Sequence, residues 1–169
     1  MRPWLLLDVD GPLNPYAAPW FRERIPSEGY RFHALTPRSG HTYRVALNPE
    51  HGRRLRLLAR LCDLAWATTW QDDANRLIAP LIGLPGDLPV VPLALPTAPF
   101  PAWGWKTEQV AEWVGARPFV WLDDEITAQT RDWLETAPRL GPHLDRYVPP
   151  EVGLTDADFD AVEAFARPG

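Results

Sequence analysis

Three short apolar segments in this chain each end in polar residues, and this arrangement constrains the fold more than any other feature. Residues 4–7, 64–67 and 118–122 are typical of buried β-strands, because each is a brief apolar run that stops at polar or turn-forming residues. The polar residues that follow the three runs are, in order, Asp8 and Asp10, Thr68 and Thr69, and Asp123 and Asp124. In a parallel sheet the carboxyl ends of the strands share one edge, where ligands bind. We therefore expect these side chains to form one polar site.

Predicted helices separate the strands along the chain. The pattern of apolar residues predicts helices over 49–62, 72–82, 106–114, 126–136 and 156–166, and further strands over 89–93 and 144–148. Strands that alternate with helices predict an α/β fold with a three-layer, doubly wound, mostly parallel sheet. With 169 residues the chain is expected to form one domain, residues 1–169.

One segment departs from this alternation. Within residues 29–47, apolar and polar residues alternate on both sides of a turn at 37–40, which predicts a β-hairpin. The hairpin belongs to an insertion after the first strand, at about residues 16–48. We interpret this insertion as a flap or minimal cap over the polar site.

The composition argues against several classes of protein. A net charge of −5 disfavours a protein that binds nucleic acid through bulk positive charge. Cys62 is the only cysteine and the four histidines are scattered, so neither an intrachain disulfide nor a zinc site is expected. No segment approaches the roughly 20 apolar residues of a membrane-spanning helix, and Asp8 interrupts the first apolar run. We expect a cytoplasmic protein with no membrane partner.

The converging carboxylates predict a metal site. Four carboxylates, those of Asp8, Asp10, Asp123 and Asp124, are expected to lie near one another and near Lys106. Like charges at such distances cannot all stay ionised without a cation. Mg²⁺ binds a few carboxylates together with water and substrate phosphate. The sequence therefore predicts Mg²⁺ as the cofactor.

The order of these residues resembles the four motifs of the haloacid dehalogenase-like (HAD) phosphohydrolase superfamily. Asp8-Val9-Asp10-Gly11 is similar to the first motif, Thr68 to the second, Lys106 to the third, and Asp123-Asp124 to the fourth in its double-aspartate form. Each motif alone is weak evidence, but the four occur in the family's order and span most of the chain. The resemblance implies a Rossmann-like HAD core and a phosphatase.

The resemblance also implies a role for each residue. Asp8 would be the nucleophile that forms an aspartyl-phosphate, and Asp10 the general acid and base. Thr68 would hold a phosphoryl oxygen, and Lys106 would offset negative charge. Mg²⁺ would lie between the Asp8 carboxylate, the Asp10 carbonyl and the acidic pair, with Asp124 as direct ligand and Asp123 as a supporting partner, in contact with Lys106. The predicted substrate-binding residues are Thr68, Thr69, Trp70 and Lys106, and the choice between the two threonines stays open.

Several alternatives remain at this stage. The substrate is a phosphomonoester that the sequence does not identify, and the small cap implies access for larger substrates such as phosphorylated macromolecule ends, so that nucleic acid would be a substrate only. A HAD fold without activity that serves as a binding module, or a phosphotransferase, would carry the same residues. A signalling receiver domain uses similar residues, but its lysine follows its aspartates, whereas Lys106 precedes the acidic pair. The oligomeric state is also open.

Two groups of residues near the predicted site have two interpretations each. Trp103 and Trp105, in the Pro- and Trp-rich loop 96–105, either pack that loop onto the sheet or form a stacking platform for a ring. Four arginines of the insertion either are ordinary surface residues or steer an anionic substrate. These arginines are Arg22, Arg24, Arg31 and Arg38.

Overall fold

The structure is a computed structural model that describes residues 1–95 and 99–167. The strands are β1 (Trp4–Leu7), β2 (Arg31–Leu35), β3 (Tyr43–Leu47), β4 (Asp63–Trp66), β5 (Phe119–Asp123) and β6 (His143–Tyr147). The helices are α1 (Pro19–Glu23), α2 (Pro49–Leu58), α3 (Ala79–Ile82), α4 (Thr107–Val114), α5 (Ala128–Thr136) and α6 (Asp156–Ala166), and a π-helical segment (Ala74–Ile78) precedes α3. The first three residues of the predicted loop 96–105 lie outside the described residues.

Four strands form a parallel sheet in the order β4-β1-β5-β6. β1 is central, and its three leucines have no exposed surface. Leu5 and Leu7 pack with apolar residues of α2, α3 and α6, whereas Leu6 packs with those of α4 and α5. Successive side chains of a strand point to opposite faces, so a continuous apolar run requires cover on both. The helices supply that cover, which confirms the predicted three-layer α/β fold.

The predicted hairpin is present as a separate two-stranded sheet. β2 and β3 pair antiparallel, with His33 opposite Val45. Val45 and Leu47 of β3 are buried in the main core, and Phe21 of α1 packs on the hairpin in a smaller aromatic cluster. The hairpin is therefore attached to the main core chiefly through β3, and Leu35 of β2 also packs against that core.

The predicted strand over residues 89–93 is reduced to a single bridge. Val90 pairs with Trp66 of β4, and the flanking bonds run from Trp66 N–H to the Pro89 carbonyl and from Val91 N–H to the Trp66 carbonyl, both at 2.8 Å. Pro89 and Pro92 have no N–H to donate, so the ladder cannot extend in the usual way.

The predicted helix over residues 72–82 is interrupted in the middle. It begins as the π-helical segment and becomes α-helical only for the four residues of α3. Pro80 lies in this stretch and has no N–H for the carbonyl of Arg76, and its ring crowds that carbonyl in a regular helix. A wider turn relieves that conflict. Among the helices of residues 1–95 and 99–167, none has the length and apolar character that crossing a membrane requires.

Candidate active site

The polar residues that follow the apolar strands lie together at the carboxyl edge of the sheet. Because β1 lies between β4 and β5, Asp8 is flanked by the ends of both neighbouring strands. The Asp8 N–H donates to the Leu122 carbonyl oxygen at 3.1 Å, so the pairing with β5 extends into the site. The structure thus brings Asp8, Thr68 and Asp123 to one edge, as the alternation of strands and helices predicts.

Lys106 lies at the centre of this edge and is the only lysine in the chain. Its buried Nζ lies 2.6 Å from Asp8 Oδ2, 2.9 Å from Asp123 Oδ2 and 2.8 Å from Glu125 Oε2. An ammonium group has three N–H donors, so each carboxylate can take one. The other basic residues of the chain are arginines, whose planar fork does not fit three separate acceptors around one point. The single lysine matches the geometry of the site.

Burial and ion pairing oppose each other at these groups. Burial favours neutral Lys106, but the charges of Asp8, Asp123 and Glu125 outweigh it and raise the pKa of the lysine. Burial raises the pKa of Asp8 and raises that of Asp123 well above its ordinary value, although Lys106 acts in the opposite direction on both. One lysine therefore does not compensate fully for two buried carboxylates, and a second cation would stabilise their charged forms.

A group of three carboxylates beside Lys106 provides a place for that cation. One carboxylate oxygen each of Asp8, Asp123 and Asp124 lies within 4.8 Å of the others. Burial raises the pKa of Asp124 to about 6, and the Tyr16 hydroxyl donates to Asp124 Oδ2 at 2.9 Å. Closely spaced carboxylate oxygens form the hard, anionic donor set that Mg²⁺ binds. These residues fit a divalent cation.

The two adjacent aspartates differ in their surroundings. Asp123 is fully buried, and its Oδ2 also accepts from Trp121 Nε1 at 3.2 Å, while its Oδ1 accepts from the Glu125 N–H at 2.8 Å. Asp124 is half-buried and lines the cleft. Asp123 thus has its oxygens occupied by protein donors, whereas Asp124 faces the space where a ligand would bind.

Gly11 makes room for Asp124. Its φ of +90° lies in the region that favours glycine. A Cβ atom built at this position would lie 2.5 Å from the Asp124 Cβ. A side chain at position 11 would therefore displace one of the three clustered carboxylates.

Asp10 lies at the same edge, but its carboxylate is bonded to other partners. Oδ1 accepts from Asn14 Nδ2 at 2.7 Å, and Oδ2 accepts from Trp70 Nε1 at 2.8 Å. Among the described residues, the group of three metal-compatible carboxylates does not include that of Asp10. The resemblance implied the Asp10 backbone carbonyl as ligand, and that part stays a prediction.

The residues after β4 divide between the interior and the cleft. Thr68 is fully buried and its hydroxyl interacts with the Asp8 carboxyl group, which lowers the pKa of Asp8 against the larger effect of burial. Thr69 is exposed and lines the cleft. Trp70 lines the cleft with only 8% of its surface exposed, and its ring lies 5.8 Å from that of Tyr43 on β3. The Thr68 hydroxyl is thus the one placed beside Asp8.

The cleft has a volume of about 820 Å³ and lies between the sheet edge and the hairpin. We call Asp8, Lys106 and Asp123 the floor of the site, and Tyr43, Arg44 and Trp105 its rim. The rim residues differ from those of the floor in being partly or largely exposed. The cleft is therefore polar and charged at its base and aromatic at its opening.

The structure distinguishes the two interpretations of the loop tryptophans and the arginines. The Trp105 ring centroid lies 5.7 Å from Lys106 Nζ and this residue lines the cleft, whereas Trp103 Nε1 donates to Glu108 at 3.0 Å. Within the described part of the chain, the arginine that lines the cleft is Arg44. The four arginines singled out from the sequence, Arg22, Arg24, Arg31 and Arg38, are not among the lining residues.

Five residues of the site as described above were not predicted from the sequence, and one of them is Tyr43 on the rim. The other four are Asn14, Tyr16, Arg44 and Glu125. Glu125 directly follows the acidic pair, and this third consecutive acid was a usable signal. Asn14 and Tyr16 lie in a proline-broken loop that is typical of turns, so their residue types carried no such signal.

The fold and the site define a class of protein, the HAD-like hydrolases. Its features here are a parallel sheet in an α/β fold, an aspartate after β1, a lysine before α4 and an acidic pair at the end of β5. The family model for the HAD domain in Swiss Army Knife RNA repair proteins matches residues 4–159, and the chain belongs to this family. No curated protein and no solved structure matches the chain significantly. Family membership indicates a phosphatase-type hydrolase, and HAD domains generally use Mg²⁺.

Proposed function

We propose that this protein is a Mg²⁺-dependent phosphomonoesterase that uses Asp8 as its nucleophile. The observation that carries the proposal is the convergence of Asp8, Lys106 and the acidic pair at one edge of the sheet. A buried carboxylate that is held beside a lysine and a cation-compatible cluster is suited to attack on phosphorus, because the anionic substrate meets compensating positive charge there.

The proposed reaction has two steps. In the first, an Asp8 oxygen bonds to phosphorus, the ester P–O bond breaks, and Asp10 gives its proton to the departing oxygen. In the second, water attacks phosphorus, Asp10 accepts a proton from that water, and the Asp8–phosphorus bond breaks to release inorganic phosphate. Each step is easier than direct attack of water on the ester. Lys106 holds Asp8 in place through both steps, with the Thr68 hydroxyl beside it.

The carboxylates of Asp8 and Asp124, with the Asp10 carbonyl, would hold Mg²⁺, and Asp123 would support them from behind. Bound Mg²⁺ would supply positive charge that offsets the phosphoryl group. Asp123 supports this assignment through its bonds to Lys106, Trp121 and the Glu125 N–H, which leave Asp124 as the member of the pair that faces the cleft.

Hydrolysis of 4-nitrophenyl phosphate by the wild type and by Asp8→Asn tests the proposal. We expect the wild type to turn over with Mg²⁺ and to stop with a chelator, and the variant to lose at least roughly 10³-fold in kcat. Acid-quenched wild type should carry a phosphoryl group on the peptide that contains Asp8. Asp63→Asn is the matched control, because Asp63 lies at the other end of the neighbouring strand and pairs with Arg117. Full activity in Asp8→Asn would remove the nucleophile assignment, and a wild type without Mg²⁺-dependent turnover would favour a binding module.

A more specific substrate, the phosphorylated end of a polynucleotide, is supported by the rim and by the description of the family. Tyr43 is 46% exposed and Trp105 lines the cleft 5.7 Å from Lys106 Nζ, so aromatic surface lies at the opening, where bases would stack. Arg44 supplies a cation for a second phosphate. Because the net charge is −5, we propose contact with an end and not with a long stretch of backbone.

Comparison of phosphorylated substrates tests this more specific proposal. We expect a higher kcat/KM for oligoribonucleotides with a 5′- or 3′-phosphate than for mononucleotides or sugar phosphates. The affinity for the oligoribonucleotide should fall only slightly as the salt concentration rises, because only about one or two ionic contacts are made. Equal or higher kcat/KM for sugar phosphates would overturn the polynucleotide substrate and leave the phosphatase proposal intact.

A further inference from the structure

We propose that Asn14 and Trp70 are positioning residues that hold the Asp10 carboxyl group for proton transfer to the leaving oxygen. This inference rests on the proposed function, in which Asp10 is the general acid. Each oxygen of Asp10 has one of these residues as its donor, Asn14 Nδ2 at 2.7 Å and Trp70 Nε1 at 2.8 Å. Two donors from different parts of the chain leave the carboxyl group little freedom to rotate.

The chemistry of the two donors leaves a place for the proton. The nitrogens of an amide and of an indole can only donate, so both oxygens of Asp10 act as acceptors towards Asn14 and Trp70. Each carboxyl oxygen has two lone pairs, and these contacts use one on each oxygen. The remaining lone pairs can carry the proton that is transferred. The arrangement therefore orients the acid without blocking it.

Asn14 is itself held at both ends. It is buried, with 3% of its surface exposed, and its Oδ1 accepts from the Ala46 N–H of β3 at 2.9 Å. Its backbone N–H donates to the Val9 carbonyl at 2.8 Å. Because its oxygen faces an N–H and its nitrogen faces a carboxylate, the amide cannot flip without losing both bonds.

Trp70 is held in a similar way. Its backbone N–H lies 3.4 Å from Thr68 Oγ1, and its ring packs edge-on against Tyr43 of β3. Both donors to Asp10 are thus supported by the same strand of the hairpin, one at Ala46 and the other at Tyr43. The hairpin strand β3 thus borders the cleft and, through Asn14 and Trp70, also fixes the position of the proton donor Asp10.

Substrates with different leaving groups test this role. A general acid accelerates departure of a basic alkoxide far more than departure of 4-nitrophenolate, which leaves readily without a proton. For Asn14→Leu and Trp70→Phe we expect kcat/KM for an alkyl phosphate to fall about 10- to 100-fold, and for 4-nitrophenyl phosphate to fall less than about threefold. Asp10→Asn should show the same pattern with a larger loss. The ratio kcat/KM is used because it reports the step in which the leaving group departs.

Trp103→Phe is the matched control, since it removes an indole N–H that bonds to Glu108 outside the cleft. It should leave the leaving-group dependence unchanged. Thermal unfolding of each variant shows whether it is folded. If Asn14→Leu misfolds, Trp70→Phe still tests the inference. Equal losses on both substrates would overturn the positioning role while the phosphatase proposal stands. A wild type that lacks turnover on both substrates would overturn both proposals.

Discussion

The floor and the rim of the cleft lie next to each other but differ in how far their side chains are exposed to solvent. Asp8, Lys106 and Asp123 on the floor are 4%, 3% and 0% exposed, and each bonds to another member. Tyr43 on the rim is 46% exposed, and Arg44 is likewise open to solvent. Buried charges interact strongly and depend on one another, whereas exposed ones are screened by water. The floor is therefore expected to control stability and chemistry together, and the exposed cation of the rim, Arg44, to act on binding.

The largest expected effect is on the floor, in Lys106→Met. This change leaves the buried carboxylates of Asp8 and Asp123 without their cation, which typically costs about 3–5 kcal/mol of unfolding free energy. Lys106→Arg keeps the charge but not the three-donor geometry, so it should lose less stability while turnover stays low. Urea unfolding and kcat measured on the same samples check both expectations. Normal stability and turnover in Lys106→Met would contradict the coupling within the floor.

The next effect concerns the dependence of the unfolding free energy on pH. His51 of α2 is buried between Tyr30 and Phe159, and its Nδ1 has no hydrogen-bond partner among the described residues. Burial lowers the pKa of His51 from 6.5 to about 4. The unfolded chain therefore binds the proton first as the pH falls, and stability that is full above about pH 6.5 is lost between pH 6.5 and 4. The loss amounts to roughly 3 kcal/mol.

Unfolding free energies at pH 7, 5 and 4 check this expectation. His51→Leu should flatten the dependence over that range, since it removes the group that titrates. His41→Leu is the matched control, because His41 is exposed on the hairpin. The same pH slope in wild type and His51→Leu would show that other groups cause the acid sensitivity.

A smaller effect is expected at two residues that border the floor, Asp124 and Thr68. Asp124→Ala should raise the Mg²⁺ concentration that gives half-maximal rate by about 10- to 100-fold, since it removes one of the three clustered carboxylates that we propose as the Mg²⁺ site. Thr68→Ala should lower kcat and change the Mg²⁺ dependence much less, because the Thr68 hydroxyl interacts with Asp8. Titration of the rate with Mg²⁺ in both variants compares them. A larger Mg²⁺ shift in Thr68→Ala would reverse the two assignments.

The smallest effect is expected on the rim. The Arg44 guanidinium stacks 4.8 Å from the Phe21 ring centroid and donates to the Phe21 carbonyl at 3.0 Å, so α1 holds it at the opening of the cleft. Arg44→Ala should raise KM for a phosphorylated oligonucleotide about 3- to 10-fold with little change in kcat, the effect of one lost ionic contact. Arg31→Ala on β2 is the matched control, since Arg31 is exposed and does not line the cleft. A fall in kcat without a change in KM would place Arg44 with the floor.

Much of the floor could be predicted from the sequence because its residues follow directly from local patterns. A short apolar run must be buried, and its first polar residue marks the point where the strand reaches the sheet edge. Asp8 and Asp123 of the floor, and Thr68 beside them, were found in this way, whereas Lys106 was found through the resemblance to the HAD motifs; the structure brings all four together. The π-helical segment and the single bridge at Val90 were missed because prolines removed N–H groups within patterns that otherwise predict a helix and a strand.

The sequence by itself determined the α/β fold and the order of the polar residues, since burial of apolar runs and the end of a strand are local properties. The class of chemistry was implied by the resemblance of those residues to the HAD motifs. Only the tertiary structure decided which donors serve which carboxylates: Asn14 and Trp70 for Asp10, and Tyr16 for Asp124 across a separation of 108 residues. Such bonds require two side chains to meet within about 3 Å, and that depends on strand register and on how the hairpin packs. No local pattern of residues contains that information.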